Sequence, residues 1–272
     1  MIGHLIIDGV DIYNSFGVFA IEGGCKDIAS FPDMKQPEIY DWAERDGIEA
    51  DLSAPKFSAL KLVIEFAATK DGSPIQFLRF LSQTGYRTCN FAFAGITKQL
   101  RVVSCPEFDN DLIRFFSVEF SQDSFSFVNS SPTFTAFDSG YKLNGIDFSA
   151  YGVQMLEGTD SSILKEPDLK QNLTIDIPST NGISYDTGRV KYASKDVRFR
   201  CLIRAANVAE FWANMNALFY QLSTSGYKTI EHGGLNYECF YKSMSVSDFT
   251  VFGRVWCEFD LNLVFTKLGV EI

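Results

Sequence analysis

The feature that most constrains this chain is that it carries the same stretch twice. Residues 8–11 read D-G-V-D and residues 144–147 read N-G-I-D, an offset of 136. Phe16, Gly17, Val18, Glu22 and Gly23 then match Tyr151, Gly152, Val153, Glu157 and Gly158 at an offset of 135. At that same offset P-D-M-K-Q at 32–36 meets P-D-L-K-Q at 167–171, and D-G-I at 46–48 meets N-G-I at 181–183. L-S-Q-T-G-Y-R-T at 81–88 recurs as L-S-T-S-G-Y-K-T at 222–229, the offset having grown to 141. Val118, Glu119 and Phe120 fall opposite Cys257, Glu258 and Phe259 at offset 139. Collinear matches separated by small insertions are the mark of tandem duplication.

The duplication sets the expected boundaries: a first copy over 1–127, a linker over 128–139 and a second copy over 140–272. The linker region is rich in Ser and Thr and carries Pro132. The halves differ in charge. Residues 1–136 hold 11 basic and 18 acidic residues, hence −7, and the remainder 13 and 16, hence −3.

Each copy shows one helical pattern among strands. Val208, Phe211, Trp212, Met215, Leu218, Phe219 and Leu222 recur at three- and four-residue steps, with Asn207 placed to cap the start and Gly226 to end the helix. In the first copy Ser73 precedes Pro74, then Ile75, Leu78 and Leu81 follow, and Gly85 is expected to stop the helix. Around these the period is two. Val197, Phe199, Cys201 and Ile203 alternate with arginines, Val255 to Phe265 alternate with mostly polar neighbours, and Phe116, Val118 and Phe120 repeat the pattern. The expected fold class is mainly β: two tandem homologous β-sandwich or open-barrel domains, each with one packed α-helix.

Composition narrows the function. With 46% hydrophobic and 21% charged residues in 272 there is material for packed cores. The 24 Lys and Arg against 34 Asp and Glu give −10, which argues against a protein that grips nucleic acid by neutralising phosphates. No apolar run reaches the roughly 18 residues a spanning helix needs, so no membrane insertion is expected. Asp8 and Asp11 occupy the place of a signal peptide's apolar stretch, so none is expected.

Catalytic chemistry is hard to assemble. The two histidines, His4 and His232, lie apart from any Cys or carboxylate cluster at metal-ligand spacing. No phosphate-loop, dinucleotide, metalloprotease or nucleophile-elbow motif occurs. Glu107, Asp109 and Asp111 have alternate spacing, but the glycine and distal Glu of a calcium loop are missing. Asn129 and Asn172 head glycosylation tripeptides that mean little without a signal peptide. The six cysteines form no C-x-x-C pair and read as reduced thiols, several of them buried. The expectation is no enzyme, no cofactor, no metal site and no catalytic residue. Two features suggest contacts instead. Arg198, Arg200 and Arg204 share a strand face that could meet an acidic partner or serve only solubility. Phe125, Phe127, Phe134 and Phe137 lie in or beside the linker and could join the copies to one another or to another subunit.

The openings I-I-D-G-V-D-I-Y-N-S-F-G-V at 6–18 and K-L-N-G-I-D-F-S-A-Y-G-V at 142–153 resemble the start of phage distal tail proteins and related tail-tube-fold, baseplate-hub-like domains. The motif residues are Gly9, Asp11, Phe16, Gly17 and Val18, and again Gly145, Asp147, Tyr151, Gly152 and Val153. The resemblance implies a virion tail component, made in the bacterial cytoplasm, that forms a ring through which DNA passes as cargo without being gripped. Partners would be the chain itself and other tail or baseplate proteins. In the common distal tail protein the tube-type domain is followed by a different one, whereas here it is duplicated. Three chains of two domains would then make a trimeric pseudo-hexamer, with a hexamer as the rival. The alternative class is a tandem carbohydrate- or receptor-binding β-module. Only three Trp occur, and Trp42 and Trp256 have no Trp counterpart in the other copy.

Overall fold

The computed structural model describes residues 3–106, 114–170, 174–185 and 190–271. Local chemistry builds the opening of each copy. Strands β1 (Leu5–Ile7) and β2 (Val10–Asp11) are joined by Asp8 and Gly9, at φ 50° and 82°. Two successive positive φ values give the tight turn whose twist matches antiparallel strands. Asp11 then caps α1 (Ile12–Phe16), its carboxylate accepting from the N–H groups of Tyr13 and Asn14 at 2.9 and 3.1 Å. Gly17 closes that turn in the left-handed region and releases β3 (Val18–Ala20). In the second copy β10 (Tyr141–Leu143), Asn144-Gly145, β11 (Ile146–Asp147), a 3-10 turn at Phe148–Tyr151, Gly152 and β12 (Val153–Met155) repeat each step.

Each copy next sends out an arm bearing a short hairpin. The first arm holds β4 (Ile39–Tyr40) and β5 (Glu49–Ala50), and the second holds β13 (Thr174–Asp176) and β14 (Ile183–Tyr185). The remaining strands and main helix follow: β6 (Leu60–Ala68), α2 (Pro74–Leu81), β7 (Tyr86–Phe91), β8 (Ile96–Ser104) and β9 (Phe115–Gln122) in the first copy. Their counterparts are β15 (Lys195–Ala205), α4 (Val208–Ser223), β16 (Lys228–His232), β17 (Leu235–Phe252) and β18 (Arg254–Phe265). A short α3 (Thr159–Leu164) covers β15, and β19 (Val270–Glu271) pairs with β17.

The two sheets have one topology. The order β2-β1-β7-β8-β9-β6-β3 in the first becomes β11-β10-β16-β17-β18-β15-β12 in the second, antiparallel throughout. Both are curled half-barrels, so the chain is mainly β with few helices. Alternation puts Leu60, Leu62, Ile64 and Phe66 inside on β6, and Val197, Phe199, Cys201 and Ile203 inside on β15. The buried stripe of α4, Phe211, Met215, Leu218, Phe219 and Leu222, covers the second sheet. A single hydrophobic cluster runs through both copies.

Each copy packs one main helix on its sheet, as expected, with the short helical turns α1 and α3 beside it. Two expectations need correction. Neither Gly85 nor Gly226 caps a helix, because α2 ends at Leu81 and α4 at Ser223. Buried cations instead bind carbonyls at and just beyond the helix ends. Arg87 donates to the carbonyls of Phe80, Leu81 and Gln83 at 3.0, 3.3 and 3.0 Å, and its counterpart Lys228 donates to those of Thr224 and Ser225 at 2.7 and 3.1 Å. Finally, Phe66 pairs with Phe116 as Cys201 pairs with Phe259. The last strands therefore correspond at offset 143, not 139.

Candidate functional site

The richest constellation of polar and apolar contacts lies where the first copy's arm, residues 32–58, meets the second copy. The arm base is pinned by a bridge between Met34 and Phe57 and by hydrogen bonds Lys35 N–H to Lys56 O at 2.8 Å and Ser58 N–H to Asp33 O at 2.9 Å. Lys242 is an unpaired residue in a β-bulge of β17, so its carbonyl is free to accept the Met34 N–H at 2.9 Å. Further out, Ile48, Ala50 and Leu52 bury themselves on Phe240 and Val264, with Met34 and Ile39 alongside. The Tyr227 hydroxyl donates to Ala50 O at 2.9 Å, and Gly226 N–H donates to Leu52 O at 2.9 Å. Gly226 thus lies under the arm, beyond the end of the helix.

The arm tip is held by backbone and charge. Gly47 N–H donates to Tyr192 O at 2.7 Å and Ile48 N–H to Thr266 O at 3.0 Å. A Cβ on Gly47 would lie 1.6 Å from the Thr266 carbonyl oxygen, so only glycine allows this approach. The Lys170 ammonium, almost fully covered, pairs with Asp41 and donates to the carbonyls of Trp42 and Gly47. Asp46 accepts from Tyr192 N–H at 2.9 Å and pairs with Lys191 at 3.4 Å. The Tyr192 N–H, more than Lys191, holds the Asp46 carboxyl below its ordinary range.

Aromatic rings fill the rest of the junction. Phe31 stacks on Phe219 at 3.8 Å, and Phe127 packs against Phe57 and Phe219 at 4.9 and 5.3 Å. Trp212 on α4 donates through its indole N–H to Ala94 O of the first copy at 2.7 Å. A cleft of about 630 Å³ opens between the copies, and Lys98 lines it, bonded to Gln122 Oε1 at 2.9 Å. Burial pulls the Lys98 ammonium down to about 8.

The sequence-predicted residues divide between these places. Gly9, Gly17, Gly145 and Gly152 shape turns, and Asp11 and Asp147 cap them. Phe16 packs on Phe77 and Phe80, and Val18 and Val153 are buried in edge strands. Tyr151 is fully buried, and burial raises its phenol to about 12. Its hydroxyl has no partner among the described residues. Every motif position thus has a structural role. Of the four linker aromatics, Phe127 joins the copies, Phe125 leans on the core and Phe134 covers Gly152, while Phe137 is 58% exposed. The three arginines share one face of β15, each with a partner in the chain: Arg198 with Asp260, Arg200 with Glu157 O at 3.1 Å, and Arg204 over the Trp256 ring at 5.3 Å.

His4 stacks on Phe93 at 4.3 Å, and burial lowers its pKa. His232 stacks on Tyr141 at 4.4 Å, with Nδ1 3.0 Å from Gly140 O and Nε2 3.3 Å from Asp160. Tyr141 also bonds Asp160, a grouping the sequence spacing does not reveal. Both imidazole nitrogens face acceptors, so the ring is placed to join backbone and helix α3. Five of the six cysteines are buried, and none is disulfide-bonded. Burial, helped by nearby carboxylates, pushes the Cys25 and Cys89 thiols up to about 12. Among the described residues no metal-ligating cluster forms. Glu107, Asp109, Asp111 and Asn172 lie outside the described residues.

No family model matches the chain, and no curated protein matches it significantly.

Proposed function

We propose that this chain is a structural component of a phage or prophage-derived tail, building a ring at the distal tail or baseplate through which DNA passes. The observation that carries the reading is the contact between the copies. Two units of identical topology meet head to tail, the arm of one lying on the sheet of the other. A heterologous contact between equivalent units does not close on itself, and its repetition generates a ring or a filament. Three chains supply six such units, the trimeric pseudo-hexamer, and the opening motif shared with tail-tube-fold domains favours a ring over a filament. The net charge of −10 suits a conduit that lets phosphate slide.

Light scattering on purified protein across a concentration series tests this. A mass of three chains supports the pseudo-hexamer, six chains support the hexamer, and a monomer at every concentration counts against the ring. A second reading, a tandem carbohydrate-binding module, draws on Tyr40 and Trp42, which stack in parallel at 6.4 Å and stand 44% and 49% exposed at the arm tip. Loss of glycan binding in Trp42→Ala would favour it.

A further inference from the structure

The second arm repeats the backbone pairing of the first at its base and in its hairpin, where it adds one ladder pair, Asp176 with Ile183. Its base has the bridge Leu169 to Tyr192, each 135 residues beyond Met34 and Phe57. The hydrogen bonds Lys170 N–H to Lys191 O at 2.7 Å and Ala193 N–H to Asp168 O at 2.8 Å duplicate those of the first base. Ile39 pairs with Ala50 and Thr174 with Tyr185, the same register shifted by 135. Asp176 is the counterpart of Asp41, Gly182 of Gly47 and Ile183 of Ile48.

The environments of the two arms differ sharply. Ile48 is 8% exposed against the second copy, whereas Ile183 is 63% exposed. Leu169, the counterpart of the packed Met34, is 57% exposed. Gly182 sits at φ 85° with open space where a Cβ would be, while Gly47 is pressed against a carbonyl. The second arm thus has the shape of a docked arm and apolar side chains with nothing upon them.

The first copy holds the matching surface. Counted along the ladders, Val103 occupies the bulge position of Lys242, and the register shift recurs between Val102 and Ser104. Asp123 stands at the position of Thr266, and Tyr86, 56% exposed, at that of Tyr227. Lys35 and Lys56, both exposed, correspond to Lys170 and Lys191, and neither has a carboxylate partner among the described residues.

We infer that the second arm, through residues 168–170, 176–184 and 190–193, docks on the first copy of a second molecule of this chain, pairing Asp176 with Lys35 of that molecule. This rests on the ring reading and specifies its intermolecular contact. The Val103 carbonyl receives the Leu169 N–H, the Asp123 carbonyl receives the Ile183 N–H, and Asp176 takes the role that Asp41 plays toward Lys170. The receiving floor is more polar than its intramolecular counterpart, because Arg101 and Ser121 stand where Phe240 and Val264 form the apolar patch. The contact between chains is therefore weaker and more salt-sensitive than the one within the chain.

Zero-length carbodiimide coupling of a one-to-one mixture of ¹⁵N-labelled and unlabelled protein, read by mass spectrometry, tests the contact. The intramolecular Asp41–Lys170 link serves as internal control. The expected result is a mixed-label Lys35–Asp176 link in the assembled species. Asp176→Lys should raise the assembly midpoint by about tenfold, and adding Lys35→Glu should return it to within about threefold of the parent. An assembled species with the control link but no mixed-label Lys35–Asp176 link overturns the arm contact and leaves the ring reading standing. A link confined to same-label pairs also overturns the arm contact. A chain that remains monomeric at every concentration overturns both.

Discussion

Replacing Gly47 by alanine tests whether the arm contact is a packed interface that stabilises the chain. The residue sits at φ 71°, where a side chain costs about 1–2 kcal/mol. Its new Cβ would lie 1.6 Å from the Thr266 oxygen, and the two nearest atoms are backbone, so the arm tip must lift. Lifting breaks the bonds Gly47 N–H to Tyr192 O and Ile48 N–H to Thr266 O, each contributing about 0.5–1.5 kcal/mol. The expected loss is about 2–5 kcal/mol, read by urea unfolding of dilute protein, with amide exchange accelerated at Ile48. Gly182→Ala supplies the comparison. Its φ is 85° and nothing stands within contact distance, so only the backbone cost of about 1–2 kcal/mol applies to the free chain. Equal losses in the two variants would mean that the contact of Gly47 with Thr266 adds nothing to the stability of the chain.

Arg87 is 6% exposed, pairs with Asp8 at 3.0 Å and caps α2, so Arg87→Met should cost about 3 kcal/mol in urea unfolding. Arg87→Lys should cost less, because Lys228 performs the same capping in the second copy. The lowered Asp46 carboxyl contributes stability above the ordinary carboxylate range, near pH 3.9, and that contribution is lost as pH falls through its folded value. The protection of the Ile48 amide against exchange, taken relative to its intrinsic rate at each pH, should therefore fall below about pH 4. Asp123 accepts from Arg101 at 2.7 Å and from Ser121 and Tyr86, which hold its carboxyl at about 2. An NMR titration should find its midpoint there, and Arg101→Met should move it upward.

The opening of each copy stands out in the sequence as a repeated motif, although the roles of its residues come only from the structure. Its two-residue turn, capping aspartate and terminal glycine each act within a few residues of themselves, so the motif recurs as a short block. The helix ends were misread for the opposite reason. Gly85 and Gly226 both adopt positive φ, but in the loop beyond the helix end, and the cations that bind the carbonyls there lie on the following strands. The mismatch of the last strands has a simple origin. Offsets 139 and 143 differ by four, an even number, so either keeps the inward faces inward and V-E-F looks like C-E-F by alternation alone. The repeated P-D-x-K-Q and x-G-I segments mark the duplication but not the arms they belong to, because where the first arm lands depends on contacts made more than a hundred residues away. Lys170, which holds Asp41 and the Gly47 carbonyl, could have been found only by asking why Lys35 and Lys170 match. The Arg198, Arg200 and Arg204 face was seen, but its partners lie across the sheet and on the neighbouring chain segment.

Electron cryo-microscopy of the assembled protein, with the mass of the same fraction, decides whether the two copies are equivalent units of one closed assembly. The expected image is a ring of six similar lobes built from three chains, alternate junctions being the intramolecular arm and its intermolecular counterpart. Six chains with the second copies outside a six-lobed ring, or an open particle with no repeat of the arm contact, would contradict it.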